Sequence, residues 1–232
     1  MQRLKLPFII ILLFSSLSCV SRVSPPAPLP PPGKKSEGLY HTVQRNETLW
    51  RICKTYKVSM QDVAELNNIK NPDRIKVGDK IFIPGARQQL TVRISQNDSE
   101  AASPGIAMKK GLFIWPVKGP VISQFGINNG FKNDGIFIAV PAGSTVVASY
   151  DGQVAFSADL KGYGKTIIIQ HRDKYATVYA NNKTNLANKG AAVKTGQIIA
   201  TSGGAGEGNR IPHLHFQIRE HNQARNPLFY LP

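Results

Sequence analysis

His213 and His215 stand two residues apart in the run Pro212-His213-Leu214-His215-Phe216. On a β-strand, side chains at i and i+2 share a face, so both imidazoles would open into one space. Such a pair can ligate a divalent metal, or divide the work between ligand and general acid or base. Two imidazoles alone do not close a selective metal site, and a satisfied structural pair has the same spacing. Other titratable groups that could complete a site are few. Asp134 and His171 lie in the same half of the chain, whereas His41 and His221 belong to other segments. The Gly-rich run Gly203-Gly204-Ala205-Gly206-Glu207-Gly208 invites a phosphate reading. It leads to Pro212 and another strand, however, with no helix N-terminus to receive a phosphate, which excludes that reading.

The elements that must carry the histidine pair are short strands. From residue 111 onward, apolar runs at 121–122, 136–140, 146–149, 166–170, 176–179, 198–200 and 214–218 are separated by Gly, Asn and Lys. No helical period persists, so antiparallel β structure is expected over 111–232. Residues 39–85 read differently, as strand, helix, helix, strand. Leu49, Ile52 and Cys53 share one helical face, and Ser59 with Asp62 marks the start of a second helix carrying Val63 and Leu66. Asn67-Asn68 ends that helix, and Gly78 turns the chain into a strand with Ile81 and Ile83 on one side. The expected fold is multidomain: a small α+β unit with βααβ order, followed by a mainly antiparallel β domain. Linkers are expected at 20–38 and 86–110. The first holds the proline-rich stretch 24–33, which favours an extended polyproline conformation and could reach roughly 50 Å from Cys19.

The 232 residues carry a formal net charge of +15 and 41% hydrophobic residues, with 16 Pro and 20 Gly. Spread basicity suits any polyanionic surface, including nucleic acid, acidic lipid or a cell wall rich in carboxylates. The N-terminus decides among them. Arg3 and Lys5 precede an apolar run of about 12 residues, too short to span a bilayer, and Ser18-Cys19 follow. That is an export signal over 1–19, which removes nucleic acid as a partner. It resembles a bacterial lipoprotein signal, with Ser16 where Leu is usual. The resemblance implies lipidation at Cys19, and Ser21 in place of Asp implies the periplasmic face of the outer membrane. Cys53, the only other cysteine, then reads as a small buried core residue.

The matches Tyr40-His41-Thr42-Val43, Glu47-Thr48-Leu49-Trp50-Arg51-Ile52, Leu66-Asn67-Asn68-Ile69, Asn71-Pro72 and Val77-Gly78-Asp79-Lys80-Ile81-Phe82-Ile83-Pro84 resemble a LysM module. The resemblance implies binding to the N-acetylglucosamine-containing glycan of peptidoglycan. The implied groove lies between Asn46, Glu47, Thr48 and Leu49 on one side and Asn68, Ile69 and Asn71 on the other. Asn46 serves equally well as a plain helix-capping residue.

Residues 113–220 resemble the lysostaphin/LytM-type (peptidase M23-like) zinc endopeptidases. The resemblance rests on Pro141-Ala142-Gly143-Ser144-Thr145-Val146-Val147-Ala148, Asp151-Gly152-Gln153-Val154, Gly162-Tyr163-Gly164, Gly196-Gln197 and residues 213–216. The family holds zinc with a His-x-Gly-x-Asp motif and the second His of His-x-His, assisted by the first His and a Tyr-Ala-His motif. In this chain the corresponding residues are Asn133, Phe137, His215, His213 and Tyr179-Ala180-Asn181. One ligand of three remains, so no metal and no cofactor is expected. Phe offers no lone pair, and a neutral amide is a poor zinc ligand. A rebuilt site from His213, His215 and Asp134 is disfavoured, since a one-residue offset on a strand turns a side chain to the other face.

A LysM module joined to a degenerate LytM domain resembles the NlpD/EnvC-type murein hydrolase activators. The resemblance implies a non-catalytic activator of N-acetylmuramoyl-L-alanine amidases in cell separation. An inhibitory amidase segment would be displaced through a groove lined by Asn133, Phe137, Asn181, Ile211, His213 and His215. Two alternatives stay open: a zinc endopeptidase with an altered site, and an inert wall-anchoring scaffold.

Overall fold

The computed structural model describes residue 29 and residues 35–93, 105–205 and 211–232. Cys19 and the signal-like segment lie outside the described residues. The N-terminal unit begins with strand β1 (Gly38–Thr42), continues through helices α1 (Leu49–Tyr56) and α2 (Met60–Leu66), and closes with β2 (Lys80–Pro84). The strands pair antiparallel, His41 opposite Ile81 and Leu39 opposite Ile83. Thr48 caps α1 by accepting from the Arg51 amide at 3.3 Å, and Ser59 caps α2 by accepting from the Asp62 amide at 3.3 Å. Leu49, Ile52, Cys53, Val63, Ile81 and Ile83 form its core, as the helical and strand periods require. Burial pushes the Cys53 thiol up to about 12, which makes it inert.

The second unit contains β3 (Val121–Ser123), β4 (Gly126–Asn128), β5 (Phe131–Asn133), β6 (Ile136–Ala139), β7 (Thr145–Val147), β8 (Gly152–Leu160) and β9 (Gly164–Gln170). It continues with β10 (Tyr175–Asn185), β11 (Ala192–Val193), β12 (Ile198–Ser202), β13 (His213–Glu220) and β14 (Gln223–Arg225). The main sheet runs β11-β8-β9-β10-β13-β6-β3. β12 joins β10 to β7, β14 pairs with β13, and β4–β5 forms a separate hairpin. All of these pairings are antiparallel. The βααβ unit and the antiparallel sheet are the fold class expected from the residue pattern.

Strand alternation sorts the sheet into two faces. Ile136, Ile138, Ile167, Ile169, Tyr179, Leu214, Phe216 and Ile218 enter the main core with Phe113 and Phe229. Each fully buried side chain of this size contributes roughly 1.5–3 kcal/mol. The intervening residues His213, His215 and Gln217 of β13 and Ala176, Val178 and Ala180 of β10 lie on the opposite face.

The two units meet along α2. Arg225 reaches from β14 to Asp62 at 2.8 Å and to Glu65 at 3.0 Å. The second Glu65 oxygen accepts from the Asn226 amide at 2.9 Å, and the Asn226 side chain donates to the Glu65 carbonyl at 3.1 Å and to Asn68 at 2.7 Å. Glu65 is 2% exposed. Burial pushes its carboxyl up, opposed by the bonds from Gln61 and Asn226 and by the Arg225 charge. The approach is close enough to require glycine at 126, where a Cβ would come 2.2 Å from the Leu66 carbonyl oxygen.

Candidate functional site

The β6–β13 ladder sets Phe137 directly opposite His215 and Ala139 opposite His213. On the other flank of β13, Ala180 of β10 is opposite His215. Both imidazoles thus rise from one face, as the two-residue spacing requires, and the Phe137 ring fills the space between them. It stacks on His213 with centroids 4.7 Å apart and planes inclined by 22°, and meets His215 edge-on at 4.8 Å. Tyr163 stacks on the other side of His215 at 5.5 Å and 16°.

The imidazoles are buried at 5% and 8% exposure. His213 Nδ1–H donates to the Ile211 carbonyl at 2.9 Å, which fixes its tautomer. His215 Nε2 lies 3.4 Å from the Gln217 amide nitrogen and packs against Gly135, where a Cβ would come within 2.9 Å of it. Burial, followed by the neighbouring His213, pushes the His215 pKa down to about 3, so the ring is neutral across physiological pH.

Asn133 and Asn181 brace the segments around the groove. The Asn133 amide donates to Ser123 Oγ at 3.1 Å and to the Gln124 carbonyl at 3.0 Å, and its oxygen accepts from the Gly135 amide. Asn181, in the left-handed region at φ 60°, donates to the carbonyls of His213 at 2.8 Å and Gly204 at 3.0 Å. It thereby ties β10 to the strand carrying the histidines. Ile211 is exposed at the start of the segment leading into β13. Tyr179 points the other way into the core, where its hydroxyl accepts from the Ser149 amide at 2.8 Å. His171 is also structural: it bridges the Asp151 carbonyl and Thr177 Oγ1, each at 2.8 Å, and burial holds it down at about 4.

Asp134 differs from the expectation. It occupies the bend between β5 and β6, where strand alternation does not apply, and its charge is felt by His215, Tyr163 and Arg219. Its carboxylate is largely buried and pairs with Lys132 at 2.8 Å. Among the described residues, no group of three or more His, Cys, Asp or Glu side chains is placed to hold a metal ion. Tyr163, a wall of the site, has no chemical signature in the sequence beyond its place between two glycines.

In the N-terminal unit, a cleft of about 440 Å³ is lined by Asn68, Ile69, Lys70, Asn71, Arg74 and Lys80, among others. Asn68 also donates to the Phe125 carbonyl at 3.0 Å and accepts from Asn226. Asn46, Glu47, Thr48 and Leu49 lie outside this cleft and hold local structure. The Asn46 carbonyl accepts from Arg51, Glu47 accepts from the Gln44 amide at 2.7 Å and contacts His41 at 2.8 Å, Thr48 caps α1, and Leu49 is in the core.

Comparison with known proteins gives a match in each of the two units. Residues 131–227 match Peptidase family M23, and residues 41–84 match the LysM domain. The chain is 38% identical to the uncharacterized lipoprotein YgeR of Escherichia coli, over 84% of this chain and 82% of that protein. It is 41% identical to the murein hydrolase activator NlpD of Salmonella dublin, over 87% of this chain and 70% of that protein. Against the murein hydrolase activator EnvC of Escherichia coli it is 32% identical, over 57% of this chain and 32% of that protein. With a LysM domain, a Peptidase family M23 domain and likenesses to YgeR and NlpD that cover most of each chain, the chain belongs to the family of the murein hydrolase activator NlpD and its lipoprotein relatives.

Proposed function

We propose that this protein is a non-catalytic activator of a murein hydrolase of the N-acetylmuramoyl-L-alanine amidase class. The observation that carries the reading is the Phe137 ring between His213 and His215. A hydrolytic zinc needs several ligands and an open position for water. In this groove an apolar ring occupies the ground between the imidazoles, and Asn133 is spent on bonds to Ser123, Gln124 and Gly135. The same features suit a surface that binds a protein segment: aromatic anchors, fixed rings and backbone groups already satisfied. The names of the NlpD and EnvC relatives support this reading.

The LysM unit would hold the protein on peptidoglycan. The polar cleft at Asn68, Ile69 and Asn71 supports that role, and Lys70, Arg74 and Lys80 around it suit a wall bearing free carboxylates. Cys19 would carry a lipid and the proline-rich segment would hold the domains off the periplasmic face of the outer membrane. Two relatives named as lipoproteins support this placement. No helix among the described residues is long and apolar enough to cross a membrane.

Binding of a cell-wall amidase from the same organism tests the reading. We expect Phe137→Asp to weaken binding at least tenfold, because it places a charge where an apolar contact forms. Equal binding by the wild type and the variant would leave the groove inert and point to a scaffold.

A further inference from the structure

The face that carries His215 continues away from the groove as an apolar floor of Tyr163, Ile168, Val178 and Ala180. Register makes floor and groove one surface. Ala180 is opposite His215 and Val178 opposite Gln217 in the β10–β13 pairing, and Tyr163 stacks on His215. Leu29, from the proline-rich segment before β1, packs onto this floor and is partly buried there. The chain is held again six residues later. Lys35 pairs antiparallel with Phe131 of β5, and the Ser36 amide donates to the Gly130 carbonyl at 3.1 Å. β5 ends in Asn133, a groove residue. The chain is therefore anchored on the floor at Leu29 and on the β4–β5 hairpin at Lys35.

We propose that Leu29 is a resident competitor for this surface. The floor formed by Tyr163, Ile168, Val178 and Ala180 takes one aliphatic side chain of an extended segment, and a partner segment enters with such a side chain in Leu29's place. The identity of the partner rests on the activator reading; the docking of Leu29 does not. Composition makes Leu29 a displaceable occupant. Pro30, Pro31 and Pro32 follow it, and proline has no N–H, so this stretch cannot donate to a β-ladder. Leu29 is only partly buried on the floor, and a partner segment that covers the floor and reaches the adjoining groove makes contacts that this one side chain does not. Proline-rich sequence also favours extension before docking, so little conformational entropy is lost when Leu29 docks and little is recovered when it leaves. Leu29 then covers the floor beside the groove until a better ligand arrives.

Two measurements on the full chain decide this. A benzophenone amino acid in place of Leu29 should, on irradiation, crosslink within one molecule to peptides containing Tyr163, Ile168 or Val178. Crosslinks between two copies, or to none of these residues, would overturn the docking. In dye release from labelled sacculi with an amidase, Leu29→Glu should reach half-maximal activation at about fivefold lower protein concentration, the worth of one partly buried leucine. Leu29→Met should behave as the wild type. An unchanged or higher half-maximal concentration for Leu29→Glu, with a wild type that activates, would overturn the competition. A wild type that activates nothing would remove the activator reading instead, and the crosslink alone would then decide whether Leu29 docks.

Discussion

Phe137 faces His215 across the β6–β13 ladder while its ring stacks on His213 at 4.7 Å, so one apolar side chain separates two imidazoles that otherwise share a pocket. The family resemblance places a metal-binding carboxylate at this position. The backbone frame for a metal site is therefore present, and side-chain chemistry at few positions sets whether metal enters. Replacing Phe137 with Ala removes the stacked and edge contacts. We expect a stability loss of about 1–2 kcal/mol, the scale of such aromatic pairs plus partial burial. Urea denaturation of both proteins measures it, and an unchanged midpoint would mean the ring is merely tolerated.

Restoring ligands should restore metal. Asn133→His with Phe137→Asp returns a three-ligand set together with His215, and we expect about one zinc per chain where the wild type takes up none. Metal analysis after dialysis reads this out. Zinc in the wild type at comparable stoichiometry would show that His213, His215 and Asp134 suffice, and the groove would then be a metal site after all.

Acid should destabilise the fold through two buried histidines. His215 is held down at about 3 and His171 at about 4, both mainly by burial. In the unfolded chain each takes a proton near its ordinary value of about 6.5, whereas the folded protein refuses it until far lower pH. The unfolded state therefore binds more protons between about pH 6.5 and 4, and stability falls as pH falls through that window. For two histidines the slope reaches about 2.7 kcal/mol per pH unit. Glu65, with its raised carboxyl, works in the opposite sense over the carboxylate range. His215→Gln should remove about half of the histidine slope. Parallel stability curves for variant and wild type between about pH 7 and 4.5 would show that His215 titrates normally.

Arg225 should act as the pin between the two units. It is 13% exposed at its side chain and pairs with Asp62 and Glu65, which lie far from it along the chain. Removing one partner of a buried pair leaves the other charge uncompensated, at about 3–5 kcal/mol. We expect Arg225→Ala to cost this much and to split thermal unfolding into two transitions, while Glu65→Gln costs less because the neutral amide still accepts from the Asn226 backbone. Calorimetry distinguishes these outcomes. A single transition with an unchanged midpoint in Arg225→Ala would mean that the units are coupled by other contacts.

Local rules make much of this legible. Leu49, Ile52, Cys53, Ile81 and Ile83 announce the helices and strands of the first unit, and the spacing of His213 and His215 announces one shared face. Asp134 shows where such rules stop, because alternation holds along a strand and not through the bend after β5. Asp62 reads as half of a capping box, yet its carboxylate goes to Arg225, a partner that no local pattern supplies. Tyr163 and Leu29 are illegible for the same reason. Tyr163 is placed by the β8–β9 turn, whose Tyr163 carbonyl accepts from the Asn181 amide, and Leu29 by its packing on the sheet face, and both are tertiary facts.

The most direct measurement is dye release from labelled sacculi by the full-length protein with excess zinc, alone and with a cell-wall amidase from the same organism. We expect no release by the protein alone, and release above the amidase's own rate when both are present. Release by the protein alone would mean that the groove around Phe137 hydrolyses peptidoglycan itself, and the activator reading would be wrong.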